Sequence, residues 1–81
     1  MPRFYFDVCE DETHIPDVDG EELPDITAAE REAALAAAQL AQERLNGSGK
    51  LSVVVRDAEG QPVLHAYVSL DVVRLTQNSS C

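Results

Sequence analysis

The 81-residue chain has no tryptophan, two phenylalanines and two tyrosines. A core built on large aromatic rings is therefore excluded, and Val, Leu and Ala must fill it. No apolar run approaches the ~20 residues that a membrane-spanning helix needs. There are two cysteines, Cys9 and Cys81. A disulfide framework in a chain this small uses four or more, so both are read as free thiols of a reducing compartment. Basic residues are scarce as well: six Lys and Arg stand against fifteen Asp and Glu, for a net charge of −9. From Phe4 to Glu30 there are ten acidic residues and no Lys or Arg. Nucleic acid binding needs cationic side chains to displace counterions, and an anionic membrane surface needs the same. Neither is expected as a partner.

What is present is patterned. Hydrophobic residues make up 44% of the chain and recur at regular spacings, which argues against disorder. The length allows one domain, and a chain of this size buries perhaps ~60–65% of its unfolded surface. Residues 1–75 are expected to form that domain and residues 76–81 a flexible polar tail. The opening Met1-Pro2-Arg3-Phe4-Tyr5-Phe6-Asp7 lacks the long apolar stretch of a secretory signal, so a cytoplasmic location is expected.

Arg3 to Cys9 alternates, with Phe4, Phe6 and Val8 on one side and Tyr5, Asp7 and Cys9 on the other. That period marks a strand with one buried face. Glu10 to Thr13 reads as a turn. His14 to Val18 reads as a short second strand that Pro16 confines to an edge, because proline cannot donate to the ladder. Asp19-Gly20 signals a tight turn. Thr27-Ala28-Ala29-Glu30 fits a capping box, with the Thr27 hydroxyl as cap, and Asp25 adds charge that the helix dipole favours. The helix should run to about Leu45 and stop at Asn46-Gly47. Leu51 to Arg56 and Val63 to Leu70 read as a hairpin turning at Asp57-Ala58-Glu59-Gly60, and Asp71 to Leu75 either prolong the last strand or form a helical turn. The expected fold class is α+β, in the order β-β-α-β-β: one antiparallel four-stranded sheet with a single helix packed on one face.

On the helix, Ala33, Ala36, Ala37, Leu40, Ala41 and Leu45 fall broadly opposite Glu32, Gln39, Gln42, Glu43 and Asn46. Leu35 stands amid the polar side, as an ordinary exposed leucine or as a contact residue. A lone helix covers one side of the sheet. The other side should carry Tyr5, Asp7, Cys9, Ser52, Val54, Arg56, Val63, His65, Tyr67 and Ser69. Antiparallel sheets tolerate a wetted face, yet its tyrosines and valines also suit a contact between chains. The candidate interaction residues are Leu35, Tyr5, Val54, His65 and Tyr67, with Asp17, Asp19, Glu21 and Glu22 of the acidic loop.

Catalysis is not expected. Cys9, Asp7 and His65 share the open side, but nucleophilic chemistry needs a base and an orienting group within reach, and no pocket is evident. The scattered His and Cys lack zinc-ligand spacing. Asp17-Val18-Asp19-Gly20-Glu21-Glu22 resembles the first half of a calcium loop but lacks its third ligand and closing glutamate. Its simpler reading is a turn whose carboxylates cap backbone amides. The acidic residues before the helix would repel phosphate. No metal, cofactor or catalytic residue is assigned.

Taken together, Met1-Pro2-Arg3-Phe4-Tyr5-Phe6, the segment Asp17-Val18-Asp19-Gly20-Glu21-Glu22-Leu23-Pro24-Asp25, the alanine-rich helix opening Ala28-Ala29-Glu30-Arg31-Glu32-Ala33 and the hairpin from Val53 to Gly60 resemble a family of short alphaproteobacterial proteins, of the kind common in rhizobia, with a domain of unknown function. The resemblance covers nearly all of the chain up to about Leu75. One departure is Asp7-Val8, where relatives carry a His. The resemblance implies a cytoplasmic bacterial protein and brings no activity, substrate or catalytic residue. The expected function is that of a small noncatalytic interaction or accessory protein, with a homodimer as one form. The alternative is an acidic decoy that occupies the basic, nucleic-acid-binding surface of another protein.

Overall fold

Strand β1 (Arg3–Glu10) carries Phe4, Phe6 and Val8 towards a single helix, α1 (Ile26–Arg44). The computed structural model describes residues 1–10, 13–45 and 48–75. The expected turn at Asp11-Glu12, the helix stop at Asn46-Gly47 and the tail with Cys81 lie outside the described residues. After β1 come β2 (Thr13–Ile15) and β3 (Glu21–Glu22), then α1, β4 (Ser48–Arg56) and β5 (Pro62–Asp71). The antiparallel sheet has the order β2-β1-β4-β5, with β3 also on β1. The α+β architecture, with one helix on one sheet, follows the sequence pattern.

The second strand differs from expectation. It ends at Ile15, before Pro16, and the edge resumes as β3 after an irregular segment. Proline explains the break, because its missing N–H cannot continue the ladder. The β4–β5 hairpin closes with a bond of 3.0 Å from the Gly60 N–H to the Asp57 carbonyl, and the Asp57 carboxylate accepts from the N–H groups of Glu59 and Gln61. Gly60 has φ +84°, the left-handed conformation that follows a type I turn in three-residue hairpin loops. Of the final segment, Asp71 prolongs β5, and residues 72–75 form neither strand nor helix.

The helix cap is a second correction. Asp25, not Thr27, is the N-cap: its carboxylate accepts from the Ala28 N–H at 2.9 Å, and Ile26 is the first helical residue. Thr27 is already inside the first turn, so its hydroxyl cannot serve the cap position. At the far end Leu45 is the C-cap, buried, with its N–H on the Ala41 carbonyl. Arg44 in the last turn suits the helix dipole and meets Glu10 of β1 at 3.3 Å.

The core lies between helix and sheet. Ala29, Ala33 and Ala37 are buried, and they face Phe4, Leu51, Val53 and Val55. Small side chains every fourth residue allow the helix axis to sit close over the sheet, and the β-branched valines fill the pleat beneath. Leu64, Ala66 and Val68 of β5 are half-buried against the same cluster. Glu32, expected on the polar side, is half-buried. No helix among the described residues is long and apolar enough to cross a membrane.

Candidate functional site

The register places the odd-numbered residues of β1 and β5 and the even-numbered residues of β4 on the face away from the helix. Tyr5 is opposite Arg56, Asp7 opposite Val54, and Cys9 opposite Ser52. Val54 in turn faces His65, and Ser52 faces Tyr67. Tyr5, Val54, His65 and Tyr67 therefore stand together, as the alternation implied. His65 and Tyr67 meet edge to face, with ring centroids 6.1 Å apart. Tyr67 is 57% exposed. Leu35 does not join them. It is exposed on the outer surface of the helix, in the other layer.

Asp7 is the one buried charged residue on this face among the described residues. The Arg56 guanidinium donates to both of its carboxylate oxygens, Nε to Oδ2 and Nη2 to Oδ1 at 3.1 Å. Arg56 also reaches the Asp17 carbonyl at 3.3 Å and lies 5.1 Å from the centre of the Tyr5 ring, which is within cation–π range. The Asp17 N–H donates to Asp7 Oδ1 at 2.9 Å. Asp17 returns the arrangement: its carboxylate accepts from the N–H groups of Phe6, Asp19 and Gly20, each at 3.1 Å. The segment between β2 and β3 is thus latched to the edge of β1 by side chains where the ladder is interrupted. Gly20 turns it at φ +72°, and a Cβ there would lie 2.9 Å from both Arg3 Cγ and Tyr5 Cε2. Only glycine meets both conditions without strain.

The electrostatics follow from these contacts. The Arg56 hydrogen bonds hold the Asp7 carboxyl below its ordinary value, against the effect of burial. Burial works to raise Asp17, but the N–H groups of Phe6, Gly20 and Asp19 outweigh it and keep that carboxyl below the ordinary value as well. Arg56 is raised, chiefly by its bonds to Asp7.

Of the acidic loop, Asp17 turns inward to backbone amides, while Asp19, Glu21 and Glu22 are exposed. Glu22 pairs loosely with Arg3 at 3.9 Å. A cleft of about 260 Å³ between loop and helix is lined by Phe6, Asp17, Gly20, Glu21, Glu32 and Ala36. A groove of about 320 Å³ on the open face is lined by Val54, Pro62, Val63, Leu64 and His65. Ligand pockets usually hold ~300–1,000 Å³, so both fall at or below the small end. Cys9, Asp7 and His65 do share the face, but Asp7 and His65 are two strands apart across Val54, about 10 Å at the usual strand spacing. Asp7 is also committed to Arg56. Among the described residues no three His, Cys, Asp or Glu side chains form a metal-holding group.

Asp7 and Arg56 are the residues that sequence reasoning placed on the face without seeing that they form its polar centre. The available signal was a carboxylate in mid-strand and an arginine on a strand of the same face, a pairing that sheets favour.

These features define a class: a one-helix α+β sheet domain with an edge latched by Asp17 and an uncovered opposite face. Residues 3–69 match the model of a domain of unknown function, DUF6894. The chain belongs to that family. No curated protein and no solved structure matches it.

Proposed function

We propose that this is a small noncatalytic interaction or accessory protein of the bacterial cytoplasm, acting through the open face of its sheet. One observation carries the reading. Val54, His65 and Tyr67 form an amphipathic surface that no element covers among the described residues, bordered by Tyr5, which packs against Arg56 and Gly20, and by the Asp7–Arg56 pair. Aromatic residues on a fixed scaffold are what contact surfaces use, since they lose little entropy on binding. The test is capture from a cell lysate by the immobilised chain, with a His65→Ser/Tyr67→Ser variant alongside. The expected result is a protein retained by the parent chain at high salt and lost with the variant. Equal capture by both chains would refute the role of this face.

A second reading, from another class, is an acidic decoy for a basic nucleic-acid-binding surface. It is favoured by the exposed Asp19, Glu21 and Glu22 along the latched edge. Salt separates the two. The Debye length falls from ~10 Å at 0.1 M to ~3 Å at 1 M, so a partner held by these carboxylates should be released across that range, and should be lost with Glu21→Gln/Glu22→Gln.

A further inference from the structure

The two edges of the sheet are treated differently. The outer edge of β1 is covered by β2, β3 and the Asp17 latch. The outer edge of β5 pairs with nothing among the described residues. β5 is ten residues long, and from Val63 to Leu70 it has no Lys, Arg, Asp, Glu or Pro. Its one register irregularity lies at the turn end, opposite Val55 and Arg56. Monomeric proteins usually blunt such an edge with charge, proline, bulges or a covering element.

We propose that the β5 edge is a self-association site, at which a second copy of this chain adds its own β5 in antiparallel register to make one continuous sheet. This deepens the reading of an interaction protein and rests on it. A two-fold axis perpendicular to the sheet beside Ala66 sets Ala66 opposite its copy, Leu64 opposite Val68, and His65 opposite Tyr67. Every pair then keeps its own face: the apolar residues stay under the helices, and the aromatic ones stay on the open side. An isologous contact requires this self-complementarity.

The helix supplies an independent argument for the second copy. It contacts β4 and β5 about equally and so lies over the line between them. With strands ~4.8 Å apart, the axes of the two related helices fall about 9.6 Å from one another, inside the ~8–10 Å of packed helix pairs. The side of the helix that overhangs β5 is marked by Glu30 and Ala34, which line a cleft of about 210 Å³ with Leu64 and Ala66. One turn on, at i+4 on the same side, comes Ala38. Ala34 and Ala38 are both exposed, and they leave room for that approach. Charge points the same way. The exposed carboxylates Asp19, Glu21 and Glu22 of the latched segment lie on the opposite edge, which leaves Glu30 as the carboxylate beside the β5 seam.

The test is molar mass by light scattering across a dilution series in reducing buffer, on the full chain and two variants. The parent chain is expected at twice the single-chain mass when concentrated. Ala34→Glu/Ala38→Glu, which places carboxylates where the helices meet, is expected at the single-chain mass with an unchanged far-UV circular dichroism spectrum. Val54→Lys, on the open face, is expected to remain double. A single-chain mass for the parent at every concentration overturns the proposal but leaves the open-face reading to its lysate test. Dissociation by Val54→Lys and not by the helix variant overturns it in favour of a face-to-face contact. Hydrogen exchange keeps the test decisive should the helix variant unfold: the β5 amides of the parent must exchange more slowly in concentrated than in dilute solution, and equal rates would end the idea.

Discussion

Asp7 is a carboxylate whose surroundings were built for its charged form. Its folded-state pKa lies below the ordinary 3.8, as does that of Asp17. A depressed pKa contributes stability that is present above the unfolded value and is lost as pH falls through the folded one. Stability should therefore decline from about pH 4 downward. Asp7→Asn should lower stability at neutral pH by about 1–3 kcal/mol, the usual cost of disrupting a buried charged hydrogen-bond group, and should flatten the acid decline. Urea unfolding at several pH values checks both. An unchanged acid limb in the variant would show that Asp7 is not the responsible group. This pair also marks a limit of sequence reading. The alternation of β1 put Asp7 on the open side correctly, but its partner is 49 residues away, and no local pattern states which arginine will arrive.

Among the elements, the helix shows what local chemistry determines and what it leaves open. Its alanine spacing identified the buried stripe, because a 3.6-residue period is a property of neighbours in the chain. Its first residue was less legible. Asp25 and Thr27 both carry a side chain able to cap, and the choice was made by long-range contacts. β3 ends at Glu22 on β1, and the Leu23 N–H bonds the Pro2 carbonyl at 3.0 Å, so the chain turns into helix at Ile26. Asp25→Ala should then cost ~1 kcal/mol, as cap losses do, and Thr27→Ala should cost little; thermal melts that reverse this order would restore Thr27 as the cap. The stripe makes a sharper demand. Ala33 is 2% exposed, and Ala33→Leu should destabilise by ~1–3 kcal/mol through overpacking. Leu35, at 59% exposure, should accept Glu within ~0.5 kcal/mol. Denaturant midpoints for the two variants test whether the faces are assigned correctly.

For the whole molecule, the α+β class was legible because alternating strands, an alanine-rich helix and a turn-marked hairpin each declare themselves locally. The order of strands was not, because β1 lies next to β4 rather than beside its neighbour in the chain alone. The break of the second strand was foreshadowed by Pro16, but the return of the edge as β3 depends on the Asp17 latch, a tertiary feature. The open face was legible residue by residue: its candidate residues Tyr5, Val54, His65 and Tyr67 do share it, with Val54 opposite His65 and His65 against Tyr67. Leu35, expected on the polar side of the helix, is exposed there, in the other layer.

The placing of β1 beside β4 has a consequence for how the chain is born. β1 is made before its main partner, which lies in the second half of the sequence, so β1, β2 and the helix exist for some time without the hairpin that buries them. Contacts of long sequence separation form late, and unpaired strands are the exposed species during synthesis. A fragment of residues 1–45 should accordingly give no sheet signal by circular dichroism, and a folded fragment would contradict this. The ten carboxylates between Phe4 and Glu30 should meanwhile act as plain charge, before any latch can form, and hold neighbouring unfinished chains apart by like-charge repulsion.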